Sequence, residues 1–385
     1  MATVTKRTWI TRDGKSHEAW IIRYMAVDPK RNGKRRQFIE TFDTKTKALD
    51  RQTDILGDVK RGVHSPRSTS LTVSAAATAW LAQAETDGLE RSTRREYERY
   101  VAKEIIPRLG NEKLASLTVA SVKKFRNDLA RSRYSRAMQK KIVGSLGAIL
   151  ADAQSSGAVG QNVVHAETVQ NQPAARRRRL AEKRQEKPIV EGVDYPTKAE
   201  LRALLAVDSP RYGVLLKFTV ATGLRASELR GLEWRHLDLE VGLVKVEQRA
   251  DRWNDINVPK SSAGRREIPL PPEIVLLLKE WRLRCPRCAG KLTYVFPNGE
   301  GNLEYLPNWH NRALVQLHRA AGISNPEAKG PRYGMHSFRH VAISLWIEDG
   351  MSPKEVQTLA GHSTIQMTFD VYGHQNRPIL RHDAR

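Results

Sequence analysis

Cysteine is nearly absent, with two residues in a chain of 385. A single pair cannot staple a protein of this size, so stability must come from buried apolar surface, and a reducing cytoplasm is the expected setting. Long hydrophobic runs are missing as well. No stretch approaches the roughly 20 apolar residues of a membrane span. The opening MATVTKRTWITRDGK lacks the apolar segment of a secretory signal. Acidic residues are scarce too, 42 Asp and Glu against 65 Lys and Arg.

That imbalance is the strongest feature of what is present. A formal charge of +23 exceeds what solubility needs and points to a polyanion, nucleic acid first. An anionic membrane surface is the weaker reading, because no basic amphipathic anchor stands out. The length implies two or three globular domains. The two cysteines form Cys285-Pro286-Arg287-Cys288. A structural zinc site wants four ligands, and His310 and His318 follow at a spacing that fits no common finger. A redox pair would need a thioredoxin-like context, which is lacking. The pair reads as a surface turn.

The chain is expected to be multidomain, with three blocks and one joint. Residues 1–62 have strand composition at 8–11, 19–25 and 35–42, with Asp28-Pro29 and Asn32-Gly33 as turn signals. A helix pattern spans Lys45 to Lys60, with Ala48, Leu49, Ile55, Leu56 and Val59 inward. Arg23, Lys30, Arg31, Lys34, Arg35 and Arg36 make this small α+β module a basic β-ribbon suited to phosphates or a DNA groove. Residues 71–170 read as an all-α, four-helix domain. Its helices run from about Val73 to Ala84, from an N-cap at Ser92 to a stop before Pro107, from Thr118, and from Ser135 to Gly157. Their one-signed charge suits a half clamp on a phosphate backbone. Residues 171–191, around PAARRRRLAEKRQEKP, form a basic linker. Residues 192–385 are mainly α with a small antiparallel β-sheet. Helices are expected at 197–207, 212–222, 272–283, 309–321, 336–348 and 353–360, and strands at 242–248 and 266–270 flank a long hairpin.

Four stretches of this last block each bring a cation or a proton carrier. In ATGLRASEL, Arg225 follows the glycine that ends a buried helix. Glu228 shares its helical face and can orient the guanidinium. NVPKSSAGRREIPL puts Lys260 at the tip of the hairpin. GMHSFRHVAIS sets His336 and Arg339 one turn apart on one side of a helix. LAGHSTIQMTFDVYGH supplies His362 after a helix-ending glycine and then Tyr372. Ser363 and Gln366 match a capping box there, and Ile365, Phe369 and Tyr372 form one apolar stripe. Taken alone, that stripe suits core packing as well as it suits a nucleophile.

In order and spacing, Arg225, Lys260, His336-x-x-Arg339, Gly361-His362 and Tyr372 resemble the tyrosine recombinase family of the phage-integrase type. The resemblance covers the whole third block. The helical block and linker resemble that family's core-binding domain. The first module resembles its arm-type DNA-binding domain, on weaker motifs. The resemblance implies a site-specific DNA recombinase that cleaves and rejoins DNA through a 3′-phosphotyrosine, integrating or excising a phage or other mobile element. Tyr372 would be the nucleophile, and Arg225 and Arg339 the clamp on the non-bridging oxygens. His362 would be a further donor, His336 the base, and Lys260 the acid for the leaving 5′-oxygen. The cationic set stands in for a metal, so the family scheme needs neither metal nor cofactor. The implied partners are double-stranded DNA, a homotetramer assembled on it, and an accessory DNA-bending or excision factor. The implied location is cytoplasmic and nucleoid-associated, with no membrane. Ile379-Leu380 would dock on a neighbouring protomer. A type IB topoisomerase shares this chemistry and is one alternative. A non-catalytic helix-turn-helix regulator built on SPKEVQTLAGHSTIQMTFDVY is another, but it leaves Arg225, Lys260, His336 and Arg339 unexplained. Tyr333 is a rival nucleophile that lacks a helical frame.

Overall fold

The computed structural model describes residues 2–13, 15–27, 34–60, 66, 69–170, 189–323 and 330–365. The chain divides into two compact units, 1–184 and 185–385. Among the described residues no helix is long and apolar enough to cross a membrane. Most of the basic linker expected at 171–191 lies outside the described residues.

The first unit opens with strands β1 (Ala2–Ile10), β2 (Ser16–Val27) and β3 (Arg35–Phe42), an antiparallel meander with β2 central. Register sets Ala2 against Tyr24 and Tyr24 against Phe38. Side chains alternate along a strand, so Ile22, Tyr24 and Ala26 face one side, where helix α1 (Lys45–Lys60) adds Ala48 and Ile55. Leu49, Leu56 and Val59, expected inward, are exposed. A three-stranded sheet is wide enough to cover only a narrow stripe of helix. β1 also starts earlier than its composition suggested, because its Thr and Lys residues pair through the backbone whatever their hydrophobicity.

A separate core holds the helical block. It is built from α2 (Val73–Thr86), α3 (Arg91–Tyr100), α4 (Val119–Ala130), α5 (Arg136–Ser155) and α6 (Val163–Gln170). Val73, Ala77, Ile105, Val122, Leu129, Ile142 and Leu146 lie at its centre. Thr118 and Ser135 cap α4 and α5 as their side chains predict, accepting from the backbone of Ser121 and Met138. Glu90, not Ser92, is the N-cap of α3, and the helix does not stop before Pro107. It runs through a π turn at Val101–Ile105 into Ile106–Leu109. The wider turn accommodates a ring nitrogen that has no hydrogen to donate. The four expected helices are joined by a fifth, α6. Asn162 starts it, accepting from Val164 and His165 and donating to Gly147 O at 2.8 Å. Such a short helix is below the window in which periodicity can be read.

The second unit begins with α7 (Lys198–Ala206), α8 (Tyr212–Thr222) and α9 (Ala226–Gly231). Strands β4 (Leu237–Asp238), β5 (Leu243–Val246), β6 (Arg249–Ala250), β7 (Ile256–Asn257) and β8 (Arg266–Pro269) follow. β4, β5 and β8 pair in that order, and β6–β7 is a two-stranded hairpin nested between β5 and β8. Helix α10 (Pro272–Arg284), a π turn at Trp309–Leu314 leading into α11 (Val315–Ala320), α12 (Met335–Glu348) and α13 (Pro353–Ala360) complete the unit. α8 is apolar nearly all round because it is buried nearly all round, with Val214, Leu215 and Phe218 in the core. Gly223 ends it at φ +59, and a Cβ there would lie 2.9 Å from the Trp346 ring. The turn leading to Arg225 is therefore seated directly on α12, the helix that carries Arg339.

The cysteine pair is not wholly a surface turn. Cys285 is buried at the end of α10, its Sγ 3.6 Å from Tyr294 O, because it follows Trp281 by one helical turn and shares its core-facing side. Cys288 is half-buried and pairs with Lys291 across a tight turn whose residues Ala289 and Gly290 take positive φ. Among the described residues no group of three or more His, Cys, Asp or Glu is placed to hold a metal ion.

Leu146 is fully buried in the helical block, and its truncation to Ala should cost about 2–5 kcal/mol. Because that block has its own core, hydrogen exchange should quicken across 73–170 and stay slow across 198–222. Quickening in both would mean that the two cores unfold as one.

Candidate active site

Helix α13 starts on a strong signal, with Ser352 and Glu355 capping each other's backbone N–H and Pro353 in the first turn. It ends at Gly361, in the left-handed region at φ +64. A helix leaves its last carbonyls without intrahelical donors. Here three consecutive carbonyls each accept from an arginine of a different element. Arg266 of β8 donates from Nε to Leu359 O at 2.6 Å. Arg339 of α12 donates from Nη2 to Ala360 O. Arg225, the N-cap of α9, donates from Nη2 to Gly361 O at 2.7 Å. The partial negative charge of a helix C-terminus favours all three. Arg339 also donates from Nη1 to Gly223 O at 2.6 Å, which ties in the end of α8.

Glu228 binds two of these arginines from one side. It is 3% exposed and accepts from Arg225 Nη1 at 2.8 Å and from Arg266 Nη2 at 2.9 Å. It also accepts from the Arg225 backbone N–H at 2.9 Å. Burial by itself would raise its pKa, but Arg266 and Arg225 outweigh burial and hold the carboxyl below its usual value. Three guanidiniums and one carboxylate leave the cluster net positive, as an anion site requires. Arg225 is the solvent-facing member, with its side chain 36% exposed, whereas Arg339 is buried.

His362 follows Gly361 directly. Its backbone is fixed by Gln357, whose carbonyl accepts from His362 N–H at 3.1 Å and whose Nε2 donates to His362 O at 3.2 Å. Burial, then Arg339, Arg225 and Arg266, press its pKa down to about 4, so the ring is neutral at pH 7 with one N–H to donate. His336 sits on the first turn of α12. Although part of it meets solvent, desolvation by the surrounding protein, then Arg339 and Arg225, lower its pKa. A neutral imidazole can accept a proton. His340, one turn on, packs edge-on against it with ring centroids 4.6 Å apart. Burial, His336 and Arg339 bring His340 to about 4, opposed by Asp194.

Arg225, Arg339, His336 and His362 are thus gathered around one helix end. Lys260 is not at the hairpin tip. The tip falls at 251–255, where Asp251 Oδ1 accepts from the backbone of Trp253 and Asp255 and Asn254 takes a φ of +71. This local turn closes the hairpin early and leaves Lys260 exposed on the strand's return leg. Tyr372, Phe369, Ile379 and Leu380 lie outside the described residues. Tyr333 is fully buried, with its hydroxyl 2.9 Å from Glu200 Oε2 and 3.1 Å from Gly192 O. Burial and Glu200 push its pKa up to about 12, and its enclosed, hydrogen-bonded hydroxyl is that of a packing residue. His318 is satisfied inside the core, with Nδ1 2.7 Å from Leu314 O and Nε2 accepting from Tyr333 N–H. Sequence reasoning missed Arg266. The available signal was strand alternation, since Arg266 shares its face with buried Ile268, and a charge at a core position must find a partner.

Residues 184–378 match the model of the phage integrase family, and residues 72–130 match its N-terminal SAM-like domain. An integrase of Streptomyces ambofaciens is 27% identical over 376 residues, covering 94% of this chain and 90% of that protein. The transposase of transposon Tn916 from Enterococcus faecalis is 31% identical over 172 residues, 42% of this chain and 40% of that protein's length. The fold is similar to that of the Tn1549 transposon integrase solved with transposon right-end DNA. That likeness has a TM-score of 0.62 at 20% identity, covering 78% of this chain and 95% of that one. The chain belongs to the phage integrase family. It is a tyrosine recombinase, a DNA-binding enzyme of site-specific recombination.

The turn at Gly361 can be tested directly. A Cβ there would lie 2.9 Å from both Ala263 O and Arg266 Nη1, and positive φ costs a non-glycine residue about 1–2 kcal/mol. Gly361→Ala should lower the melting temperature and slow DNA cleavage more than it weakens DNA binding. Parental cleavage by this variant would show that the arginines and His362 tolerate a displaced turn.

The histidines give a pH dependence with a definite sign. A folded-state pKa of about 4 for His362 and His340 lies below the unfolded value near 6.5. Protons therefore bind the unfolded chain preferentially, so the stability present above about pH 6.5 is lost as the pH falls toward 4. The loss should reach about 3 kcal/mol at most per histidine. Urea denaturation between pH 7 and 4 measures it, and a flat profile would contradict the burial of these rings.

Proposed function

We propose that Tyr372 attacks a DNA phosphodiester and that Arg225, Arg339 and His362 hold the phosphate while it does so. The supporting observation is the convergence of those three residues on the C-terminal carbonyls of α13. Attack by tyrosine on phosphorus adds negative charge to the non-bridging oxygens. Fixed donors aimed at those oxygens stabilise the transition state without reorganising. A free phenol has a pKa of about 10, so ionising it at pH 7 costs roughly 4 kcal/mol unless a base takes the proton. His336, whose pKa its surroundings lower, is that base. The bond between phosphorus and the 5′-oxygen breaks, and Lys260 gives the departing oxygen its proton. The 3′-phosphotyrosine retains a high-energy ester, and attack on it by the 5′-hydroxyl of another strand completes the exchange.

The rest of the chain serves DNA in this reading. Residues 1–62 form an arm-type DNA-binding module, 71–170 the core-binding domain, 171–191 a basic linker and 192–385 the catalytic domain. The +23 charge is what a protein that neutralises many phosphates would carry. One protomer cleaves one strand, so exchange between two duplexes takes four, and the working form is a homotetramer on DNA. An accessory bending or excision factor sets the direction of the reaction, which takes place at the nucleoid. The biological outcome is the integration or excision of a mobile element.

Tyr372→Phe removes one hydroxyl and leaves the apolar ring. DNA binding should persist at near-parental affinity, while the covalent protein–DNA adduct on a nicked suicide substrate disappears. An adduct formed by the variant would sink the assignment of Tyr372.

A further inference from the structure

We infer that two buried arginines, Arg230 and Arg249, fix the backbone that carries Lys260 and so act as positioning residues for its proton transfer. The inference rests on the reading of Lys260 as the acid. Arg230 lies near the end of α9, the helix that Arg225 caps, and is 2% exposed. Its guanidinium enters the β6–β7 hairpin. Nη1 donates to Asp251 O at 2.5 Å and Ala250 O at 3.3 Å, Nη2 to Asn254 Oδ1 at 2.5 Å, and Nε to Glu304 O at 2.7 Å. The next residue, Gly231, approaches β6 so closely that a Cβ would lie 2.8 Å from Ala250 N and from the carbonyl carbon of Arg249. Helix and hairpin are locked backbone to backbone.

Arg249 carries the constraint across the hairpin. It is buried, and its Nε donates to Val258 O at 3.1 Å, two residues before Lys260. Beside that, Gly264 comes so near Pro259 that a Cβ would lie 2.5 Å from the Pro259 Cβ. The residues leading into Lys260 are therefore held from both sides. A lysine stem is long and flexible, so the position of its backbone decides what it can reach. Apolar residues could pin a hairpin without burying charge, and desolvation opposes both guanidiniums. What arginine adds is a rigid fork with several donors in fixed directions. Through α9 the same fork couples Lys260 to Arg225 at the other end of the helix.

The test uses the full chain in single-turnover cleavage of two suicide substrates, one ordinary and one with sulfur at the 5′-bridging position. A thiolate leaves without a proton, so the pair isolates the acid step. Losing a general acid typically costs about 10²–10⁴-fold, and that is the loss expected for Lys260→Ala on oxygen, with sulfur cleavage near parental. Arg249→Lys and Arg230→Lys keep the charge but lose the fork. Each should slow oxygen cleavage by about 10-fold or more, up to the loss seen on removing the acid itself, and leave sulfur cleavage within about threefold of the parent. Adding Lys260→Ala to Arg249→Lys should bring oxygen cleavage to the level of Lys260→Ala alone, since both act on one step. Equal losses on oxygen and sulfur, or parental oxygen cleavage, would overturn the inference while a rescued Lys260→Ala upholds the acid reading. A Lys260→Ala that sulfur does not rescue would overturn the acid reading, and this inference with it. Thermal melts identify a variant that has not folded. In that event Arg249→Lys, the milder change, decides.

Discussion

The C-terminus of α13 exposes three carbonyls that the helix cannot satisfy itself, and three arginines from three other elements satisfy them. Arg266 takes Leu359, Arg339 takes Ala360 and Arg225 takes Gly361. Hydrogen bonds to charged groups contribute about 1.5–3 kcal/mol each, so the hub is worth enough to dictate how these elements meet. It also orders the proposed site, because Arg225 and Arg339 are the proposed clamp and His362 is the next residue in the chain. A change in the angle of α13 would move all of them together.

Such an arrangement concentrates positive charge, and it is tolerable because of Glu228. A buried carboxylate without partners would be protonated, and a buried guanidinium without partners would cost several kcal/mol. Glu228 and Arg266 remove both penalties at once, each nearly excluded from solvent. Their pairing leaves Arg225 oriented and partly exposed. Arg266 therefore has no need to touch DNA to matter, since it holds the residue that holds Arg225.

Much of this was legible in the sequence where the signal is local. The caps at Thr118, Ser135, Thr197 and Ser352 and the left-handed stops at Gly223 and Gly361 follow from side-chain chemistry, and they place α4, α5, α7, α8 and α13 closely. Order and spacing along the chain single out Arg225, His336, Arg339 and His362, and the structure brings the four together. What escaped depends on contacts distant in sequence or on turns that no residue type announces. The continuation of α3 through Pro107 needs a local π turn of that kind. The burial of Arg230 depends on a hairpin that begins about twenty residues later, and that hairpin's early tip depends on one Asp251 side chain. Lys260 was misplaced for that reason.

The site also divides its work between charges that cannot change and groups that can. Arginine stays protonated at any physiological pH, so this positive charge is permanent, and beside desolvation it lowers the pKa of His336 and His362. A neutral histidine is a donor on one nitrogen and an acceptor on the other. In the proposed mechanism the same arginines that attract the phosphate thus prepare their neighbours to hold it and to accept a proton. Replacing an arginine by a neutral residue would weaken the anion's hold and also release the histidines toward the charged form, in which neither can act as a base. The two effects have one electrostatic origin, so the cluster works as a unit and its parts cannot be weighed by separate deletion.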